Sequence, residues 1–287
     1  MEKAQTDDAP VLYEELRNAI AARYPELSKQ LQKIARFALE YPDDMALETV
    51  ASLAARAQVQ PSSMVRFAQA LGYDGFSNMQ LVFRSHLVTG SASYRDRIES
   101  LRRQHDITGG DPASVLASFV DEGVTSLELL RDHTPKAALG AAVDLLAGAD
   151  DIYVLAERRA FPVACYLFYA LARLERRTHL LDGVGGTLAQ QVSVVRDRDV
   201  LVAASFPPYS PQVAEVFVAC HQRGVPTIAI TDSPVSPLAL ESTVAFHVKQ
   251  QEEGKFRSLV APMCLAQSLV VALGHHLAAG KGGESRR

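Results

Sequence analysis

At 287 residues, 48% hydrophobic and 22% charged, with a mean hydropathy near zero, the chain has the make-up of a globular protein long enough for two modest domains or one large one. Its formal net charge of -4 argues against a protein that coats nucleic acid regardless of sequence, and the composition suggests no membrane span or membrane partner. The acidic start, with Glu2, Asp7 and Asp8 before any apolar stretch, is the reverse of a secretory signal, so a cytoplasmic location is expected.

From Val11 to about Leu87 apolar residues recur at three- and four-residue intervals. Breaks fall at Pro25, Pro42, Val59 to Pro61 and Gly72 to Gly75, giving an all-α domain of about five short helices. Ser28 is placed to cap a helix over Lys29 to Glu40, and Glu48 to open the next. Residues 89–93 are small and polar, the composition of a hinge. Helical spacing resumes from Arg95 to about Ala147, interrupted at Gly109 to Pro112, where Asp111 can cap the following segment.

After Gly148 the period changes. Val, Ile and Leu runs at Asp151–Leu155, Thr178–Leu181, Val200–Ala204, Pro226–Thr231 and Val244–Val248 alternate with helical stretches, which implies βαβ crossovers and a three-layer α/β domain with a five-stranded parallel sheet. A last helix near Leu259–Leu277 would cover one face. The resulting division is a helical domain over 11–90, a helical linker over 91–127 and an α/β domain over 128–280. Cys165, Cys220 and Cys264 are odd in number and far apart among apolar neighbours, so they read as buried packing residues and not as a disulfide framework or a CxxC metal site. No metal and no cofactor is expected.

The stretch from Leu47 to Leu71 has the spacing of two helices joined by a tight turn. Ala54 is small where the helices approach, and Val59 is an apolar plug in the turn. Met64, Phe67, Ala68 and Leu71 form the inner face of the second helix, while Ser62, Arg66 and Gln69 fall on the other side, with Pro61 at the first helical position. Short polar groups and a guanidinium suit a DNA major groove; the alternative is a helical hairpin whose Arg66 faces solvent. Between Arg56 and Arg103 there are seven arginines and no lysine, opposed by Asp74, Asp96 and Glu99. That is a basic stretch inside an acidic chain.

The run from Val59 to Phe76, VQPSSMVRFAQALGYDGF, strongly resembles the helix-turn-helix of the RpiR (MurR/RpiR) family of bacterial regulators, which pair this domain with a C-terminal sugar isomerase (SIS) domain. The resemblance runs from about Tyr24 to Leu277. It departs at Gln58, where glycine is usual in the turn, and at Gln60, where a serine often caps the recognition helix. It implies that Gln60, Ser62, Ser63 and Arg66 meet bases or phosphates and that Arg56 and Arg84 touch the DNA backbone. It also implies a double-stranded operator as partner and a homodimer or homotetramer. Gly72 and Phe76 are read as structural.

The later half resembles the SIS fold, with flavodoxin-type strand order and a ligand crevice at the carboxyl ends of the first and third strands. The SIS loops that serve phosphosugars are altered: Glu157, Arg158 and Arg159 replace small residues in the first, and only Ser205 and Ser210 survive in the third, with Pro207 and Pro208 between them. The stretch Ile230 to Leu238, with Thr231, Asp232 and Ser233, matches well. The expected ligand is a sugar-derived anion, a sugar phosphate or sugar acid, held by these eight polar residues, since arginine forks suit phosphate and carboxylate alike. Against this stands a crevice in which the arginines pair with Glu157 or a partner subunit.

Asp182 to Thr187 looks like a phosphate loop but lacks its lysine and reads better as a tight turn, and Lys255 to Ser258 is placed to reach a neighbouring pocket across a dimer interface or simply to start a solvated helix. A sugar-phosphate isomerase or lyase is the rival reading, with Glu157, Glu241 and His247 as the general bases that can be placed near strand ends. His275 and His276 are adjacent and cannot share a metal from one helical face. A pure assembly module is the third alternative.

Overall fold

A computed structural model of the chain describes residues 9–90, 111–248 and 257–284. They fall into two compact units divided between Asp111 and Pro112.

The first unit is all helical: α1 (Tyr13–Arg23), α2 (Lys29–Glu40), α3 (Pro42–Leu47), α4 (Val50–Arg56), α5 (Pro61–Ala70) and α6 (Phe76–Gly90). The prolines at 42 and 61 open their helices at the first position, where the missing N–H costs nothing. Ser28 caps α2 by accepting from the Leu31 amide. Thr49, not Glu48, opens α4; Glu48 ends α3 instead. Leu16, Ile20, Ile34, Met45, Leu53, Met64, Phe67, Leu71, Met79 and Phe83 are fully buried and form the core.

The second unit begins with α7 (Pro112–His133) and α8 (Lys136–Gly148), then alternates β1 (Ile152–Ala156), α9 (Phe161–Arg173), β2 (Thr178–Leu181), α10 (Leu188–Ser193), β3 (Val200–Ala204), α11 (Pro211–Gln222), β4 (Thr227–Thr231), α12 (Pro237–Leu240), β5 (Val244–His247) and α13 (Val260–Glu284). The five strands are all parallel in the order β2-β1-β3-β4-β5, as expected for flavodoxin-type winding.

Strand alternation builds two cores. Ile152, Val154, Val202, Ile228 and Phe246 face α8, α9 and α13, while Tyr153, Leu155, Leu201, Ala203 and Ala229 face α10 to α12.

Three expectations need correction. Residues 112–127 were assigned to a linker, yet α7 packs on α13 and sends Leu127 and Leu130 against the sheet core, so it is part of the α/β unit; residues 91–110 of that linker lie outside the described residues. The span Val260–Ala279 is by length and composition able to cross a membrane, against the reading that no segment approaches this; in the fold Ala261, Leu265, Ala266, Leu269 and Leu273 of this helix are buried against the sheet unit. Of the cysteines only Cys220 is buried, and burial pushes its thiol pKa up; Cys165 in α9 and Cys264 in α13 are half-buried.

Candidate DNA-reading face and ligand crevice

In the first unit α4 and α5 meet through a turn at Ala57–Gln60. Gln58 there adopts a left-handed backbone, φ 54°, the conformation that favours glycine. Gln60 stands at the N-cap of α5 with no side-chain capping bond. Gly72, φ 94°, ends the Leu71 turn after α5, and the Tyr73 amide closes back on the Ala68 carbonyl, 3.1 Å. Met64, Phe67, Ala68 and Leu71 point into the core, and Gln60, Ser62, Arg66 and Gln69 are exposed along the opposite side.

Two of the expected DNA contacts are placed otherwise. Ser63 is only 8% exposed, because position 63 precedes Met64 and lies one turn before Phe67, on the buried edge of the helix. Arg56 is held by Asp44, 2.7 Å, and by Glu48, and its guanidinium lies 5.2 Å from the Phe37 ring centre and 5.3 Å from that of Tyr41. The hydrogen bond to Asp44 is the largest cause and raises its pKa; desolvation, next in size, opposes it, and the Asp44 charge with the hydrogen bond and charge of Glu48 adds to the rise. Its charge is therefore answered within the domain.

Arg84 is exposed but its Nε donates to the Ala46 carbonyl, 2.9 Å, while Gln80 on the same face of α6 donates to the Met45 and Glu48 carbonyls, 3.0 and 2.8 Å. The pair ties α6 to the carbonyl end of α3, a role with no local signal in the sequence.

In the second unit the chain reverses direction across the sheet between β1 and β3, which opens a crevice at their carboxyl ends. Glu157 follows β1, and Ser205 to Ser210 follow β3. The Ser210 hydroxyl donates to Glu157 Oε2 and accepts from the Val213 amide, 3.4 Å, capping α11; the Ser210 amide donates to Ser205 Oγ, 3.3 Å. Glu157, Ser205 and Ser210 are thus brought together.

At the end of β4, Asp232 accepts from the Tyr209 hydroxyl, 2.7 Å, and from Thr231 Oγ1, 3.3 Å, and all three residues are buried. Ser233, also buried, accepts from the Val235 amide, 3.4 Å, and shapes the turn there. Tyr209 was missed; its only signal is its place between the two loop serines.

The arginines divide. Arg158 is exposed, with φ 54°. Arg159 lies over the Phe206 ring, 5.2 Å, and donates to the Pro207 carbonyl, 3.4 Å; Arg257 donates to the same carbonyl. Of the Lys255 to Ser258 stretch, Arg257 thus bonds within its own chain, and Lys255 and Phe256 lie outside the described residues.

The Asp182–Thr187 segment is a turn into α10, with left-handed Gly183, Gly185 and Gly186. Asp182 accepts from Gln191 Nε2 and the Val184 amide, and these bonds, the Gln191 one foremost, hold its carboxyl below the usual range. Among the described residues no three histidine, cysteine or acidic side chains group as a metal site.

Comparison with known proteins places both halves. Residues 14–90 match the family described as helix-turn-helix domain, rpiR family, and residues 145–272 match the SIS domain. An uncharacterized HTH-type transcriptional regulator of Haemophilus influenzae is 24% identical over 266 residues, 89% of this chain and 87% of that one. The HTH-type transcriptional regulator HexR of Escherichia coli is 24% identical over 236 residues, covering 82% and 78%. Bifunctional protein glk of Paraburkholderia xenovorans is 28% identical over 222 residues, and there the chain spans 33% of the longer relative. Among solved structures, the sugar isomerase domain of an RpiR transcription factor from Sphaerobacter thermophilus aligns with TM-score 0.53 at 25% identity, over 59% of this chain and 97% of that one. Vibrio vulnificus NanR complexed with ManNAc-6P aligns with TM-score 0.56 at 22% identity, over 93% and 94%.

Proposed function

Since the chain belongs to the RpiR family, an rpiR-type helix-turn-helix domain followed by a SIS domain, we propose that it is a sequence-specific, DNA-binding regulator of transcription that answers to a sugar-derived metabolite. The observation that carries the first part is the two-sidedness of α5: Ser62, Arg66 and Gln69 exposed on one side, Met64, Phe67 and Ala68 buried on the other. A helix locked by its apolar side and free on its polar side can enter a major groove, and Gln60, Ser62, Arg66 and Gln69 are the residues proposed to meet DNA there. Two copies of the chain are proposed to act together, since paired helices read two half-sites.

The second part is supported by the crevice of polar groups at three strand ends, Glu157, Arg158, Arg159, Ser205, Ser210, Thr231, Asp232 and Ser233, and by the sugar phosphate held by the NanR of like fold. A ligand that binds one arrangement of the regulator better than another shifts it toward that arrangement, which is all that effector control requires.

The test is an operator recovered by selection from a random duplex pool and titrated by fluorescence anisotropy. Arg66→Ala is expected to weaken binding by about 1–3 kcal/mol and Arg56→Ala to leave it near the parent value. Equal binding by parent and Arg66→Ala would remove the assignment of α5 as the recognition helix.

A further inference from the structure

We infer that Val65 reads thymine: its side chain, on the outward side of α5, packs against the C5-methyl group of a thymine in the major groove of the operator. The inference rests on the reading of α5 as the recognition helix, and it adds an apolar base-specifying residue to the polar ones proposed above.

The position follows from the helix itself. α5 runs from Pro61 to Ala70, and at 3.6 residues per turn the exposed Ser62 and Gln69 fall within about 20° of each other around its axis. Arg66 lies about 40–60° to one side of that line and Val65 about 40–60° to the other. The stripe that faces the core is Ser63, Met64, Phe67, Ala68 and Leu71, all buried. Val65 does not belong to it and is only half-buried; between Ser62 and Gln69 it is the one apolar residue outside the stripe. The Cα–Cβ bonds of an α-helix tilt toward its N-terminus, so Val65 leans toward the end of α5 that a recognition helix sends to the base edges.

The chemistry of Val65 fits one feature of DNA. The edges of the base pairs in the major groove carry hydrogen-bond donors, acceptors and a single kind of apolar group, the thymine C5-methyl. Arg66 suits guanine and Gln69 suits adenine, each through a two-point hydrogen bond, whereas an isopropyl group can make none. Left facing water, Val65 gains little from packing, and a β-branched residue is a weaker helix former than alanine. Against a methyl group both apolar surfaces leave water. β-branching also holds the side chain of a helical valine in one rotamer. The two methyl groups of Val65 are therefore in place before DNA arrives and lose less freedom on binding than the long side chains of Arg66 and Gln69.

The experiment uses the full-length chain, its Val65→Ala and Arg66→Ala variants and the selected operator. Each thymine of one half-site is replaced in turn by deoxyuridine, which removes the C5-methyl and leaves the base-pairing groups intact, and affinity is read by fluorescence anisotropy. The parent is expected to lose about three- to fivefold at one thymine, the fold-change for burying one methyl group. Val65→Ala is expected to bind the thymine and deoxyuridine operators there within about twofold of each other, since little of the contact is left. Each protein is compared with itself on two operators, so a change in folding stability cancels. A parent indifferent to deoxyuridine at every position, or a Val65→Ala variant that keeps the full methyl preference, overturns the inference; if Arg66→Ala still weakens binding, α5 remains the recognition helix. Arg66→Ala binding as tightly as the parent removes that reading and this inference with it.

Discussion

Gln58 sits in the turn between α4 and α5 at φ 54°, and changing it to glycine tests whether that turn holds the reading helix in place. A side chain in the left-handed region costs roughly 1–2 kcal/mol that glycine does not incur. Glycine also gives the unfolded chain more freedom, which takes back about 0.4–1 kcal/mol. Gln58 is exposed, so no packing is lost. The net expectation is a gain of about 0.5–1 kcal/mol in the first unit. Hydrogen exchange read by mass spectrometry on the full chain resolves this locally: peptides spanning Leu47 to Leu71 should exchange about 2–5 times more slowly, with those from the α/β unit unchanged. Faster exchange in those peptides would mean that Gln58 makes a contact worth more than its backbone strain, and the reasoning would fail.

Gln60→Ser is expected to add a capping bond to α5 and to raise protection of the same peptides by about 1 kcal/mol; a serine with no effect would show that the α5 amides are already satisfied. Tyr209→Phe removes the hydroxyl that donates to buried Asp232 and should lower the stability of the α/β unit by about 1–3 kcal/mol in a denaturant titration, whereas a neutral result would mean the carboxylate is compensated elsewhere. The bonds that lower the Asp182 pKa contribute stability above its ordinary value of 3.8, and this is lost as pH falls through the lowered value. Asp182→Asn should therefore flatten that part of the acid-unfolding curve, and a curve unaltered by the substitution would contradict the assignment.

The strands were legible because buried parallel strands are short runs of β-branched and aliphatic residues between turn signals: Thr178–Leu181 and Val200–Ala204 have the expected ends, and β1 is shifted by one residue. The outward face of α5 was legible from its period alone. What escaped is non-local. Nothing near Arg56 in the chain announces that Asp44, twelve residues away, holds it, nor that Glu157 and Ser210, 53 residues apart, share a hydrogen bond. Ser63, which the family resemblance implied as a DNA contact, is buried because the buried stripe of α5 is one residue wider than the Met64, Phe67, Ala68 and Leu71 pattern. Residues 112–127 of α7 were taken for linker because their fit to α13 lies in three dimensions: a Cβ placed on Gly123 would stand 3.8 Å from Val260 Cγ1, at ordinary contact distance.

The Ser210 hydroxyl has two clients, one on each side. Any ligand that claims it as an acceptor for its own donors competes with the Val213 amide, and one that claims it as a donor competes with Glu157. In the first case the opening turn of α11 frays, a loss of about 1 kcal/mol for a helix cap. A ligand that took this hydroxyl would therefore act on the opening turn of Pro211–Gln222.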